Sequence, residues 1–118
     1  MFNFLTRSAP AGLTARDFVT APDGTIVIDV REHAEVAASG KASGALHIPL
    51  MMLQFRADPR HPDYDPLLDR SARIGVYCAS GGRSSSAKTI LDRLGYKDVH
   101  NIGGFGHWCQ AGGAVERA

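Results

Sequence analysis

The chain has 118 residues, 44% of them hydrophobic and 21% charged, with a formal net charge of +1. That length suits one domain, residues 1–118, with a hydrophobic core, and the balanced charge without a basic stripe argues against a nucleic-acid partner. The two cysteines make no disulfide framework and point to a reducing compartment, while residues 1–10 lack the apolar run of a signal peptide or membrane span, so a cytoplasmic protein with no membrane partner is expected.

Leu13-Thr14-Ala15-Arg16-Asp17-Phe18-Val19 reads as a short helix with Thr14 at its N-cap. Pro22-Asp23-Gly24 is a turn. The apolar run at residues 26–30 reads as a strand buried on both faces, as in a parallel sheet. Residues 32–38 follow as a short helix, with Arg31 and Glu35 spaced to pair at i, i+4. Residues 45–48 are a further strand, stopped by Pro49. Residues 50–56 suit a helix, and the three prolines of residues 58–66 mark a loop. Ile74, Val76 and Tyr77 begin another buried strand. Ala87, Ile90, Leu91 and Leu94 then recur at helical spacing until Gly95 stops them. Residues 99–102 form a last strand, and residues 103–113 a glycine-bounded helix carrying Trp108. Strands alternating with helices predict a three-layer α/β domain, with a mostly parallel central sheet and helices on both faces. Ligands of such sheets bind beyond the carboxyl ends of the strands. Asp29-Val30-Arg31 ends one strand there, and Cys78 ends another.

Cys78 is the leading candidate for chemistry. It lies between its strand and the glycine-rich segment Ala79-Ser80-Gly81-Gly82-Arg83-Ser84, which opens into a helix. Loop N–H groups and the positive end of a helix favour a thiolate over a thiol. A free cysteine titrates near ~8.5, and a helix N-terminus lowers that. Arg83 is placed unfavourably for the helix dipole, so contact with a substrate anion is the better reading of its guanidinium fork. Gly81 and Gly82 permit a tight turn and a close approach of ligand to backbone. Asp29 and Arg31 read as support for the loop. His47 reads as a satisfied core or edge histidine, Trp108 as packing under the loop, and Cys109 as a buried small hydrophobe in preference to a resolving thiol. His107 and Cys109 do not complete a ligand set, so no metal is expected. Gly40-Lys41 is not a phosphate loop, because position 35 is Glu and Ser43 falls one place late.

Four segments together resemble a known family. They are Asp29-Val30-Arg31, Ser43-Gly44-Ala45-Leu46-His47-Ile48-Pro49, the loop from Cys78 to Ser84, and Gly103-Gly104-Phe105-Gly106-His107-Trp108. In that order they resemble the rhodanese-like domain, a single-domain thiosulfate sulfurtransferase family, over about residues 13–115. Lys41-Ala42-Ser43 departs from the family, many members having histidine, isoleucine and proline there.

The resemblance implies a sulfurtransferase in which Cys78 carries a persulfide. The donor is a small molecule such as thiosulfate, and the acceptor is cyanide, a thiol or a partner protein. Ala79, Ser80, Gly81, Gly82, Arg83 and Ser84 would contact the substrate, and neither cofactor nor metal is required. Two other classes compete. A non-catalytic persulfide carrier or binding module would use the same loop. A phosphatase or arsenate reductase would bind an oxyanion there, but the phosphatase pattern separates cysteine from arginine by five residues, and four separate Cys78 from Arg83.

Overall fold

A computed structural model describes residues 12–117, so the N-terminal segment read for targeting signals lies outside the described residues. A 3-10 turn at Ala15–Asp17 precedes β1 (Thr25–Asp29), α1 (His33–Ser39), β2 (Lys41–Ala42), β3 (Leu46–His47) and α2 (Leu50–Arg56). Then come β4 (Arg73–Cys78), α3 (Gly82–Arg93), β5 (Val99–Gly104), α4 (Phe105–Gln110) and β6 (Val115–Glu116). The central sheet runs β3-β1-β4-β5, and every pairing in it is parallel. β2 and β6 form a separate antiparallel ribbon.

The α/β expectation holds, and the period-2 alternation of strand side chains explains the layers. Ile74, Val76 and Cys78 face one core with Ile28, Val30, Leu53, Leu68 and Leu91, which seats α2 and α3. Tyr77 faces the opposite core with Phe18, Ala42, Ile102 and Trp108. Each fully buried Ile or Leu in these layers contributes roughly 1.5–3 kcal/mol of transfer free energy. Burial on both faces fits the continuous apolar runs of β1 and β4.

Four expectations change. The helix predicted at 13–19 is a single 3-10 turn, because Phe18 turns into the core and the chain must reverse to enter β1. The final helix starts at Phe105. Gly103 has φ +93° and Gly104 is extended, so both complete β5. Cys109 is exposed, not buried. Its neighbour Trp108 occupies the inward face of α4, and one helical step turns Cys109 toward solvent. Arg31 does not pair with Glu35. It precedes α1, so helical i, i+4 geometry never applies, and its guanidinium turns back onto Asp29 at 2.8 Å.

Candidate active site

β4 delivers Cys78 to the carboxyl edge of the sheet, and the loop that follows folds back over its sulfur. Gly81 stands at φ +104°, in the left-handed region that favours glycine. This turn aims the Gly81 N–H at Cys78 Sγ, 3.0 Å away. The first turn of α3 adds the Ser84 N–H at 3.4 Å, and Ser84 Oγ lies 3.5 Å from the sulfur. Cys78 and Ser84 are both buried, whereas Ala79, Ser80 and Gly82 are exposed. Burial alone raises the thiol. The Ser84 hydroxyl and the N–H groups of Ser84, Ser80 and Gly81 outweigh it and bring the Cys78 pKa down to about 7. The site therefore stabilises negative charge on sulfur near neutral pH without a general base.

The edge strand closes the cradle from the other side. Gly104 lies opposite Cys78 in the β4–β5 register. A Cβ at Gly104 would overlap the Ala79 carbonyl oxygen, so only glycine lets β5 pack this tightly on the loop. The Gly104 N–H is capped by His107 Nδ1 at 2.9 Å. Asn101 reaches the Gly81 carbonyl and the Ser84 hydroxyl. Outside this wall lies a groove of about 410 Å³, lined in part by Arg16, Asn101, Gly103, His107 and Gln110.

Arg83 is turned onto Glu35 of α1. Nη1 and Nη2 meet the two carboxylate oxygens at 2.6 and 2.8 Å, a bidentate pair. The bonds from Arg83 and from the Glu32 N–H hold the Glu35 carboxyl down to about 2, and Glu35 in turn raises Arg83.

A model of the rhodanese-like domain matches residues 15–111. The chain belongs to the rhodanese-like domain family. Thiosulfate sulfurtransferase PspE of Escherichia coli is 36% identical over 77 residues, covering 65% of this chain and 67% of that protein. Thiosulfate sulfurtransferase GlpE of Haemophilus influenzae is 36% identical over 90 residues, covering 75% of this chain and 76% of that protein. Among solved structures, a Rhodopseudomonas palustris protein of unknown function, described as a possible tyrosine phosphatase, superposes with a TM-score of 0.79 at 30% identity. That match covers 98% of this chain and 99% of the other.

Within this rhodanese-like fold, Gly81 and Ser84 bond the Cys78 sulfur, Arg83 turns to Glu35, and Asp29 and Arg31 form a buried pair of their own. Asp29 is fully buried. It accepts the Tyr77 hydroxyl at 2.6 Å and the Arg31 guanidinium from Nε and Nη2. Arg31 continues to Ser39 Oγ at 2.8 Å and the Gly40 carbonyl at 2.7 Å, under the ring of Phe105 at 4.5 Å. The pair thus fixes the end of α1, the helix that carries Glu35. Two neighbours of the loop escaped the sequence reading. Spacing pairs Glu35 with Arg31, and nothing local marks Asn101 as part of the loop. The one available signal for Asn101 is a polar side chain at the carboxyl end of a strand, two residues before a double glycine. Among the described residues, no helix is long and apolar enough to cross a membrane.

Proposed function

We propose that this rhodanese-like chain is a sulfurtransferase, moving sulfane sulfur from a donor such as thiosulfate to cyanide or a thiol through a Cys78 persulfide. The observation that carries the reading is the convergence of the Gly81 and Ser84 N–H groups and the Ser84 hydroxyl on one buried sulfur. The names of the curated relatives agree with it.

The Cys78 thiolate attacks the outer sulfur of thiosulfate. An S–S bond forms as the donor's own S–S bond breaks, and its electron pair leaves with sulfite. Cys78 then carries a terminal sulfur anion. Cyanide attacks that sulfur, forms a C–S bond, leaves as thiocyanate and returns the thiolate. A thiolate acceptor takes the same sulfur as its own persulfide. This is nucleophilic catalysis, dividing one transfer into two steps. The N–H cradle stabilises charge that stays on sulfur throughout, which is electrostatic preorganisation. Residues 79–84 form the contact surface for the donor. Arg83 supplies positive charge at its rim, offset by Glu35.

The solved relative described as a possible tyrosine phosphatase makes a second reading worth testing. Two features favour sulfur transfer. Four residues separate Cys78 from Arg83, one fewer than in the phosphatase pattern. The Arg83 fork also faces Glu35, while phosphoryl transfer calls for an arginine fork directed at the transferred group. The test is intact mass after thiosulfate, alongside thiocyanate and aryl-phosphate assays on the same preparation. One added sulfur atom, removable by cyanide and absent from Cys78→Ser, is the expected result. Cys78-dependent phosphate release exceeding thiocyanate formation would reverse the assignment. Stoichiometric loading without multiple turnovers would identify a carrier.

A further inference from the structure

Between Val76 and Cys78 the pairing with β5 is irregular. Val76 lies opposite Asn101 and Cys78 opposite Gly104, so β5 advances three residues while β4 advances two. The extra residue is a bulge, a device that re-aims side chains beside a strand end. Asn101 is the last residue of β5 in the regular register before the bulge, on the same face as Val99, and this puts its side chain beside the loop. Asn101 Nδ2 donates to the Gly81 carbonyl at 3.0 Å. Asn101 Oδ1 accepts the Ser84 hydroxyl at 2.7 Å and the Gly103 N–H at 3.0 Å. The Gly81 and Ser84 N–H groups point at the sulfur, at 3.0 and 3.4 Å.

The backbone between those donors is intrinsically soft. Gly81 and Gly82 lack side chains, and peptide units flanked by glycine rotate at little cost. A donor array is preorganised only if such a segment is held. The Ser85 N–H holds the Gly81 carbonyl from within α3 at 3.1 Å. Asn101 holds the same carbonyl from a different element, and also holds Ser84.

We propose that Asn101 is the positioning residue of the Cys78 cradle, fixing Gly81 and Ser84 in the arrangement that carries negative charge on sulfur. In this role it touches neither the sulfur nor a substrate. The functional meaning rests on the sulfurtransferase reading above, since the same cradle then holds the thiolate and the terminal sulfur of the persulfide.

An opposing effect makes the outcome decisive. The Ser84 hydroxyl has one proton to donate. Asn101 Oδ1 at 2.7 Å and the sulfur at 3.5 Å compete for it. Removing the carboxamide frees that proton for sulfur, which by itself favours the thiolate. Releasing Gly81 removes the shortest bond to the sulfur and disfavours it. A positioning role requires the second effect to win.

The test is alkylation of Cys78 by iodoacetamide across pH, read by intact mass in Cys109→Ala protein so that only one thiol reports. Asn101→Ala is expected to lower the Cys78 ionisation constant about tenfold, moving the alkylation midpoint upward. The midpoint is the proper readout, because a less acidic thiolate is also a better nucleophile and partly masks the change in rate. The charged and titratable groups around the site, Arg83 on α3, Glu35 on α1 with Glu32 at its N-cap, and His107 on α4, are the same in both proteins. The upward shift should persist in a Ser84→Ala background, where the hydroxyl has no part. Asn101→Val, better suited to a strand, gives the same reading if the alanine variant melts early. An unchanged or lowered midpoint, or a shift that needs Ser84, overturns the proposal. No sulfur donor enters the measurement. A shifted midpoint with no sulfur loading by thiosulfate would sink the transferase reading and leave the positioning role standing.

Discussion

Replacing Cys78 by serine should change how stability depends on pH, by an amount that follows from the cradle. The folded thiol titrates at about 7, and an unfolded cysteine near ~8.5. The folded pKa is the lower of the two, so the folded state loses its proton first. Stability from this group is therefore absent at low pH, begins to appear above pH ~7, and is complete above ~8.5. The gap in pKa corresponds to about 2 kcal/mol. Ala79, Ser80 and Gly82 are exposed beside the sulfur, and screening there reduces the gain to about 1–2 kcal/mol. Serine keeps a hydrogen-bonding atom for the Gly81 and Ser84 N–H groups but does not ionise in this range. Urea unfolding with reductant, in Cys109→Ala protein, measures the difference between the two proteins at pH 6 and at pH 9. That difference should grow in favour of cysteine by about 1–2 kcal/mol, roughly 1 M in midpoint for a small domain. Titration of other groups cancels because both proteins share them. A difference that stays constant, or moves in favour of serine as pH rises, would refute the thiolate cradle.

The ion pair at the rim predicts opposite effects from its two ends. Glu35→Gln should lower KM for thiosulfate several-fold by leaving Arg83 free for the donor's oxygens, and Arg83→Ala should raise it; equal effects on an uncharged persulfide donor would remove Arg83 from donor binding. Because Glu35 titrates at about 2, both effects should be flat from pH 5 to pH 8 apart from the ionisation of Cys78. Gly104→Ala should cost several kcal/mol in thermal or urea unfolding, since its Cβ would overlap the Ala79 carbonyl. Gly82→Ala should fold normally, because a Cβ there meets nothing within 4 Å; similar losses in both variants would contradict the close packing of β5 on the loop. Cys109→Ala should keep thiosulfate:cyanide turnover within a few-fold, and a loss matching Cys78→Ser would instead indicate a two-cysteine relay.

The strands and the loop were legible because their signals are local. Continuous apolar runs mark β1 and β4 as strands buried on both faces, and the predicted helix at residues 50–56 coincides with Leu50–Arg56. Cys78 followed by Gly81-Gly82 places a thiol at a strand-to-helix turn from sequence alone. Cys109 shows where such signals stop. The sequence marks a helix around Trp108, but which of two adjacent side chains turns inward depends on where that helix docks. The docking is set by Phe18, Tyr77 and Ile102, from three separate parts of the chain.

Partner choice was the least legible property. Glu35 has a cation four positions before it and another 48 positions after it, and it pairs with the distant one. Local spacing favours Arg31 only if both residues lie on one helix, and α1 begins after Arg31. Asp29 then takes Arg31 across two residues, with Tyr77 from the neighbouring strand completing the carboxylate's bonds. One buried carboxylate thus decides, through Arg31, which partner remains for Glu35, and so where the Arg83 fork points. Asn101 follows the same logic. Its reach to Gly81 and Ser84 exists because β5 pairs with β4 so that Asn101 stands opposite Val76, two residues before Cys78 and the turn that follows it. The chemistry-bearing residue can therefore be found in the chain itself, whereas the residues that hold it ready are defined by a register and a buried charge that no local pattern encodes.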